Sequence, residues 1–92
     1  EFVLTLGEEG AFFGATRQSV FCPALPVEAI DTTGAGDTFT GYFLAAYWGK
    51  GLSAERSLQT ATVGAALSVT RKGAAGAIPT REEVLTAYRQ WI

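Results

Sequence analysis

Asp31-Thr32-Thr33-Gly34-Ala35-Gly36-Asp37-Thr38-Phe39 runs directly into Thr40-Gly41-Tyr42-Phe43-Leu44-Ala45-Ala46-Tyr47. Small, backbone-exposing residues thus stand immediately before an apolar stretch with helical spacing, in which Phe39, Phe43, Ala46 and Tyr47 recur. The spacing predicts a helix over 36–48, ended by Gly49 and Gly51. Backbone N–H groups at a helix start have no intrahelical acceptor and attract phosphate. A carboxylate in the same turn, Asp37, stands where the helix dipole favours an anion and where it could take a proton from an attacking hydroxyl. An anion cradle beside a base is the minimum equipment for phosphoryl transfer. Read by local pattern alone, Asp37 is first a helix cap, the commonest use of such an aspartate, and the glycines an ordinary loop. Neither common glycine motif competes: a dinucleotide fingerprint would need glycine where Phe39 stands, and no Lys-Ser/Thr pair follows a second glycine as a Walker A loop requires.

Working outward, Phe2-Val3-Leu4-Thr5-Leu6 reads as a strand and Gly7-Glu8-Glu9-Gly10 as a turn. Two further short strands are predicted over 11–15 and 19–22, joined by Thr16-Arg17-Gln18. Pro23 and Pro26 mark a connection where pairing should stop, and 27–30 resumes an extended path. Ser53 is the expected N-cap of a second helix reaching about residue 69, with Leu58, Ala61, Ala65 and Val69 on its apolar face. The small residues Ala61, Gly64, Ala65 and Ala66 would let a neighbouring element or a flat ligand approach closely. Thr80 with Glu83 three residues on forms a capping box for a third helix carrying Val84, Tyr88 and Trp91 on one face. The mixture is α/β.

The signature resembles that of the ribokinase-like (PfkB) carbohydrate kinases. Thr5-Leu6-Gly7-Glu8-Glu9-Gly10 resembles their nucleotide-binding turn, Thr70-Arg71-Lys72-Gly73-Ala74 the segment beside the nucleotide in the ribokinase branch, and Ile78-Pro79-Thr80-Arg81-Glu82-Glu83-Val84 the opening of their last helix. The order and spacing of these segments strengthen the match. The resemblance implies that residues 1–92 are a C-terminal fragment of a ribokinase-like three-layer α/β/α sandwich. They would form the nucleotide-binding and catalytic-base segment, with the sugar-binding N-terminal part absent. It implies ATP-dependent transfer to a sugar hydroxyl, with Asp37 as base and Gly34, Ala35 and Gly36 as anion hole. Thr5, Gly7, Gly10, Gly36 and Thr62 would line the nucleotide; asparagine or histidine is more usual at the place of Thr62. Mg²⁺ would accompany ATP. Asp31, Thr33, Ser68, Arg71 and Gly73 match a site for a monovalent cation, usually K⁺, although Ala77 stands where the family has a hydroxyl ligand. Arg71 and Lys72 otherwise read as a solvated pair at a helix end.

Bulk composition bounds the alternatives. Ninety-two residues, 48% hydrophobic and 17% charged, make at most one small, apolar-rich domain. With a net charge of −2 and no basic cluster, nucleic-acid binding has little support, and no apolar run is long enough to span a bilayer. The chain contains no histidine, which excludes Ser-His-Asp and Cys-His chemistry within it, and its single cysteine, Cys22, forms no internal disulfide and reads as core. A cytoplasmic setting with small-molecule partners, sugar and ATP, is expected, and the sequence leaves room for a homodimer. Two other functions fit: a non-catalytic nucleotide-binding or structural fragment, and a small interaction module in which the glycines only shape turns. The isolated chain is expected to self-associate through apolar faces.

Overall fold

The computed structural model describes residues 1–27, 30, 32, 34–70 and 79–91. Three strands, β1 (Phe2–Thr5), β2 (Gly10–Ala15) and β3 (Gln18–Pro23), form an antiparallel sheet in the order β1-β2-β3. They are followed by helices α1 (Ala35–Leu44), α2 (Ala54–Val69) and α3 (Arg81–Trp91). This is the α/β composition expected from the sequence.

The register sorts the side chains onto two faces. Val3, Phe13 and Val20 align across the sheet, as do Thr5, Ala11 and Cys22, and both rows share one face. That face meets the helices: Ala11, Phe13 and Cys22 form one core with Phe39 and Phe43 of α1 and Ala54, Leu58 and Ala61 of α2. Leu58 and Ala61 are fully buried. The other face carries the row Leu4, Phe12 and Phe21, together with Phe2, whose ring lies 5.9 Å from that of Phe12. Phe2 covers Gly14, where a Cβ would fall 2.5 Å from the ring.

Pairing extends slightly beyond the sequence expectation. Pro23 does not stop the ladder but is its last member, opposite Gly10, a place on an edge strand where a missing N–H is tolerated. Gly10 has φ +130°, and a Cβ there would sit 2.9 Å from Pro23 Cα, so the junction of the turn with β2 requires glycine.

The first helix begins at Ala35 and keeps α geometry only to Leu44. Residues Ala45–Gly49 continue it as a wider π-wound turn, a departure from the single helix expected over 36–48. The wider winding buries Ala46 while Tyr47 stacks on Phe43 at 5.4 Å and leans on Phe13 at 5.3 Å. The chain then turns at Gly51, and Ser53 caps α2 by accepting a hydrogen bond from Arg56 N–H at 3.2 Å.

The capping box of α3 is present in both directions: Glu83 N–H donates to Thr80 Oγ1 at 3.2 Å and Thr80 N–H to Glu83 Oε1 at 2.9 Å. Val84 and Ala87 of α3 pack on Val63 of α2, with Tyr88 beside them; Tyr88 also donates to Gln59 Oε1 at 2.7 Å. The Trp91 side chain, assigned to the same face, lies outside the described residues. Tyr42 joins α1 to this second core, donating to the Pro79 carbonyl at 2.6 Å. Among the described residues, no helix is long and apolar enough to cross a membrane.

Candidate active site: a groove at the start of the first helix

A groove of about 410 Å³ opens between the sheet's helix-bearing side and helices α1 and α2. Six of the candidate site residues line it: Thr5 ending β1, Gly7 in the turn that follows, Gly10 opening β2, Ala35 and Gly36 at the start of α1, and Thr62 of α2. They come from four places in the chain and meet because β1 and β2 bring their shared turn to the sheet end that faces the start of α1.

The helix start leaves backbone N–H groups without intrahelical acceptors, the kind of place that attracts anions. Gly34 is the N-cap, in the left-handed region at φ +78°, a conformation glycine adopts without a Cβ penalty. Among the described residues, no side chain caps the helix. The first intrahelical bond runs from Thr38 N–H to Gly34 O at 2.9 Å, so the Gly36 and Asp37 amides precede it. A Cβ at Gly36 would meet nothing within 4 Å, and the same holds at Gly7. Packing among the described residues therefore does not demand glycine at Gly36. Gly10 differs, since its own close approach to β3 requires glycine in addition to its place on the groove.

Asp37 occupies the first turn of α1, one residue beyond Gly36, and is exposed. It does not line the groove. Nor does it serve as the helix N-cap, because that position belongs to Gly34. The carboxylate accepts no hydrogen bond among the described residues.

Thr62 is buried, and its hydroxyl donates to Cys22 Sγ at 3.5 Å rather than standing free. Of the five residues matched to a cation site, only Ser68 is described. It sits in the last turn of α2, 2% exposed, its hydroxyl donating to the Ala65 carbonyl at 2.8 Å, and it does not line the groove. Asp31, Thr33, Arg71 and Gly73, as well as Ala77, lie outside the described residues. No group of acidic, cysteine or histidine side chains suited to a metal occurs among the described residues.

The groove has walls that sequence reasoning only half anticipated. Ala65, Ala66 and Val69 of α2 form one of them, and the run of small residues was the signal for a close approach there. The other wall, Ala24, Leu25 and Val27 in the connection after β3, carries no periodicity that would have marked it. Ala61 and Gly64 turn elsewhere: Ala61 enters the core, and a Cβ at Gly64 would lie 2.9 Å from Tyr42 Cδ2. Apart from the groove, the Tyr47 hydroxyl donates to Glu1 Oε2 at 2.9 Å. That bond raises the phenol pKa above its ordinary value, helped by desolvation and by the charge of Glu1.

The sequence pattern of the pfkB family carbohydrate kinases matches residues 1–81, and the chain belongs to that family. It is 44% identical over 81 residues to a ribokinase of Bacillus subtilis, covering 88% of this chain and 27% of that protein. The structure superposes on Arabidopsis thaliana ribokinase complexed with ribose and ATP at a TM-score of 0.88 and 36% identity, over 95% of this chain and 28% of the other. It superposes on a putative ribokinase II from E. coli in complex with ATP and Mg²⁺ at a TM-score of 0.84 and 34% identity, over 91% and 27%. The 92 residues thus span about a quarter of the length of the relatives they match, and over that length the architecture is that of a ribokinase-like fold.

Proposed function

We propose that these residues are the nucleotide-binding and base-carrying segment of an ATP-dependent carbohydrate kinase, which transfers the γ-phosphoryl group to a sugar hydroxyl. The observation that carries this reading is the groove itself. It joins the turn after β1 to a helix start without a side-chain cap among the described residues, with open space at Gly36 and an exposed carboxylate one residue further on. Thr5, Gly7 and Gly10 line the nucleotide, and the Gly34-Ala35-Gly36 backbone lies against the transferring phosphate. Preorganised N–H donors of this kind stabilise the charge that develops there, and losing one such donor typically costs about 3–4 kcal/mol. The Asp37 carboxylate accepts the proton of the sugar hydroxyl as its oxygen attacks the γ-phosphorus and ADP leaves.

The likeness to ribokinases favours ribose or a related sugar as acceptor. Mg²⁺, when bound with ATP, would neutralise phosphate charge, with its protein contacts mostly in the part of the kinase upstream of this segment. A K⁺ site formed by Asp31, Thr33, Ser68, Arg71 and Gly73 is part of the same reading, as is work in the cytoplasm. The coverage of about a quarter of each relative favours a second reading for the 92 residues taken by themselves: a piece that binds nucleotide without turnover.

Asp37→Asn in the full-length polypeptide that carries these residues tests the assignment. Turnover should fall about 10²–10⁴-fold, with the melting temperature unchanged, since the exposed carboxylate makes no hydrogen bond among the described residues. Activity retained within about tenfold would remove Asp37 from the base role.

A further inference from the structure

Thr40 of α1 and Thr60 of α2 each return their hydroxyl to a carbonyl four residues back, Thr40 to Gly36 O at 2.9 Å and Thr60 to Arg56 O at 2.8 Å. The two bonds are alike; the peptides they grip are not. A carbonyl shares one rigid, planar unit with the N–H of the next residue. Behind Arg56 O stands Ser57 N–H, which is already spent on the N-cap carbonyl, Ser53 O, at 2.9 Å. Behind Gly36 O stands Asp37 N–H, which precedes the first intrahelical bond of α1, so the helix offers it no acceptor. Its neighbours at the helix start are otherwise engaged: Ala35 N–H donates to Thr32 O at 3.2 Å and Thr38 N–H to Gly34 O at 2.9 Å. From Ala35 to Thr38, the donors that the helix leaves over are those of Gly36 and Asp37. Thr40 holds the peptide that carries the second.

That peptide has little else to fix it. Glycine restrains its own backbone least of all residues, and a Cβ at Gly36 would meet none of the described residues within 4 Å. Thr40 is exposed and stands three residues beyond Asp37, on the same side of the helix. Its hydroxyl supplies the missing constraint. By donating to the carbonyl oxygen it also polarises the peptide, which makes the N–H at the other end a stronger donor. Resting on the reading above, in which the start of α1 meets the transferring phosphoryl group and Asp37 is the base, we propose that Thr40 is a positioning residue for that transfer. It aims and strengthens the Asp37 N–H toward the charge that develops on the phosphoryl oxygens, and it steadies the backbone from which the carboxylate projects. It acts through that peptide rather than on a substrate. Back-bonding of this kind does not strengthen a helix, so removing the hydroxyl should cost the reaction and not the fold.

The test uses the full-length polypeptide that carries these residues, with ATP and ribose as substrates and Asp37→Asn as the reference for loss of the base. Thr40→Val keeps the branched shape without the hydroxyl, and Thr40→Ser keeps the hydroxyl. In Thr40→Val, kcat should fall about three- to tenfold, the range of one neutral hydrogen bond, because the donor acts on charge that develops in the transition state. KM for both substrates and the melting temperature should hold. Thr40→Ser should restore kcat to within about twofold, below the reach of a lost hydrogen bond, and Thr40→Ala, which also lacks the hydroxyl, should match Thr40→Val. Thr60→Val removes the matching bond from α2 and should leave kcat unchanged. Values of kcat in Thr40→Val and Thr40→Ala within about twofold of the unsubstituted protein overturn the proposal. So does an equal fall in Thr60→Val, or a Thr40→Ser variant no faster than Thr40→Val. If Asp37→Asn lowers turnover as expected while the Thr40 variants run at full rate, only the role of Thr40 fails. If ribose is not phosphorylated, or Asp37→Asn keeps turnover within about tenfold, the reading of the site fails first and takes Thr40 with it.

Discussion

Gly36 is the residue at which structure and function make opposite demands. Among the described residues nothing constrains it: it lies inside α1, and a Cβ would meet none of their atoms within 4 Å. Alanine there should leave stability unchanged or raise it by about 0.5–1 kcal/mol, since glycine in a helix is the less favourable residue. The added methyl would project into the space beside the groove, where a phosphate would have to lie against the backbone. Gly36→Ala is therefore expected to lower turnover by about 10²-fold, the scale of an ångström's misplacement of reacting groups, while the melting temperature holds or rises. Calorimetry and steady-state kinetics on the same preparation check both halves. A fall in stability would point to a packing role that the structure does not show. Asp37, one residue on, is likewise exposed.

Among the elements, the junction of α1 with α2 sets the shape of the groove. Gly64 permits it: its missing side chain makes room for the Tyr42 ring, and Tyr42 in turn reaches the Pro79 carbonyl ahead of α3. Gly64→Ala would place a methyl 2.9 Å from Tyr42 Cδ2. Overpacking of that kind costs roughly 1–3 kcal/mol, partly offset by the better helix propensity of alanine. A lower denaturant midpoint with an unchanged m-value is expected. A midpoint at or above that of the unsubstituted protein would show that Tyr42 moves aside without loss. The turn between β1 and β2 illustrates the opposite case, in which one glycine serves two purposes. Gly10 lies on the groove, and its approach to Pro23 also requires glycine, so a substitution there would not separate ligand binding from folding.

For the molecule as a whole, the sheet presents two apolar faces but only one is covered among the described residues. Helices bury Ala11, Phe13 and Cys22, whereas Phe2, Leu4 and Phe21 on the other face are 56%, 51% and 52% exposed. A strand such as β2, apolar on both sides through Ala11, Phe12 and Phe13, is the pattern of a sheet covered on both faces. Taken by itself, the 92-residue chain should self-associate through this surface, because large contiguous apolar patches are uncommon on monomers. Light scattering should show a concentration-dependent mass above the 9.7 kDa of one chain. Replacing Leu4 and Phe21 together by lysine should shift the population toward monomer. A monodisperse monomer of the unsubstituted chain across micromolar concentrations would refute the expectation.

Local chemistry alone was enough to make much of this legible in the sequence. Ser53 and the Thr80–Glu83 pair announced the starts of α2 and α3 because capping is a contact between near neighbours. The apolar run of β1 and the glycines before Phe39 likewise declared a strand and a helix start, and the signature declared the family. What sequence could not supply were relations between distant residues. That Pro23 still pairs, opposite Gly10, depends on the register of two strands. The π-wound turn at Ala45–Gly49 goes with the seating of Tyr47 on Phe43 and Phe13. The direction of the Thr62 hydroxyl is decided by a cysteine forty residues away. Tertiary structure alone decides such features, because hydrogen-bond direction and ring stacking depend on which surfaces meet, and that is settled only when the sheet and helices close on a common core.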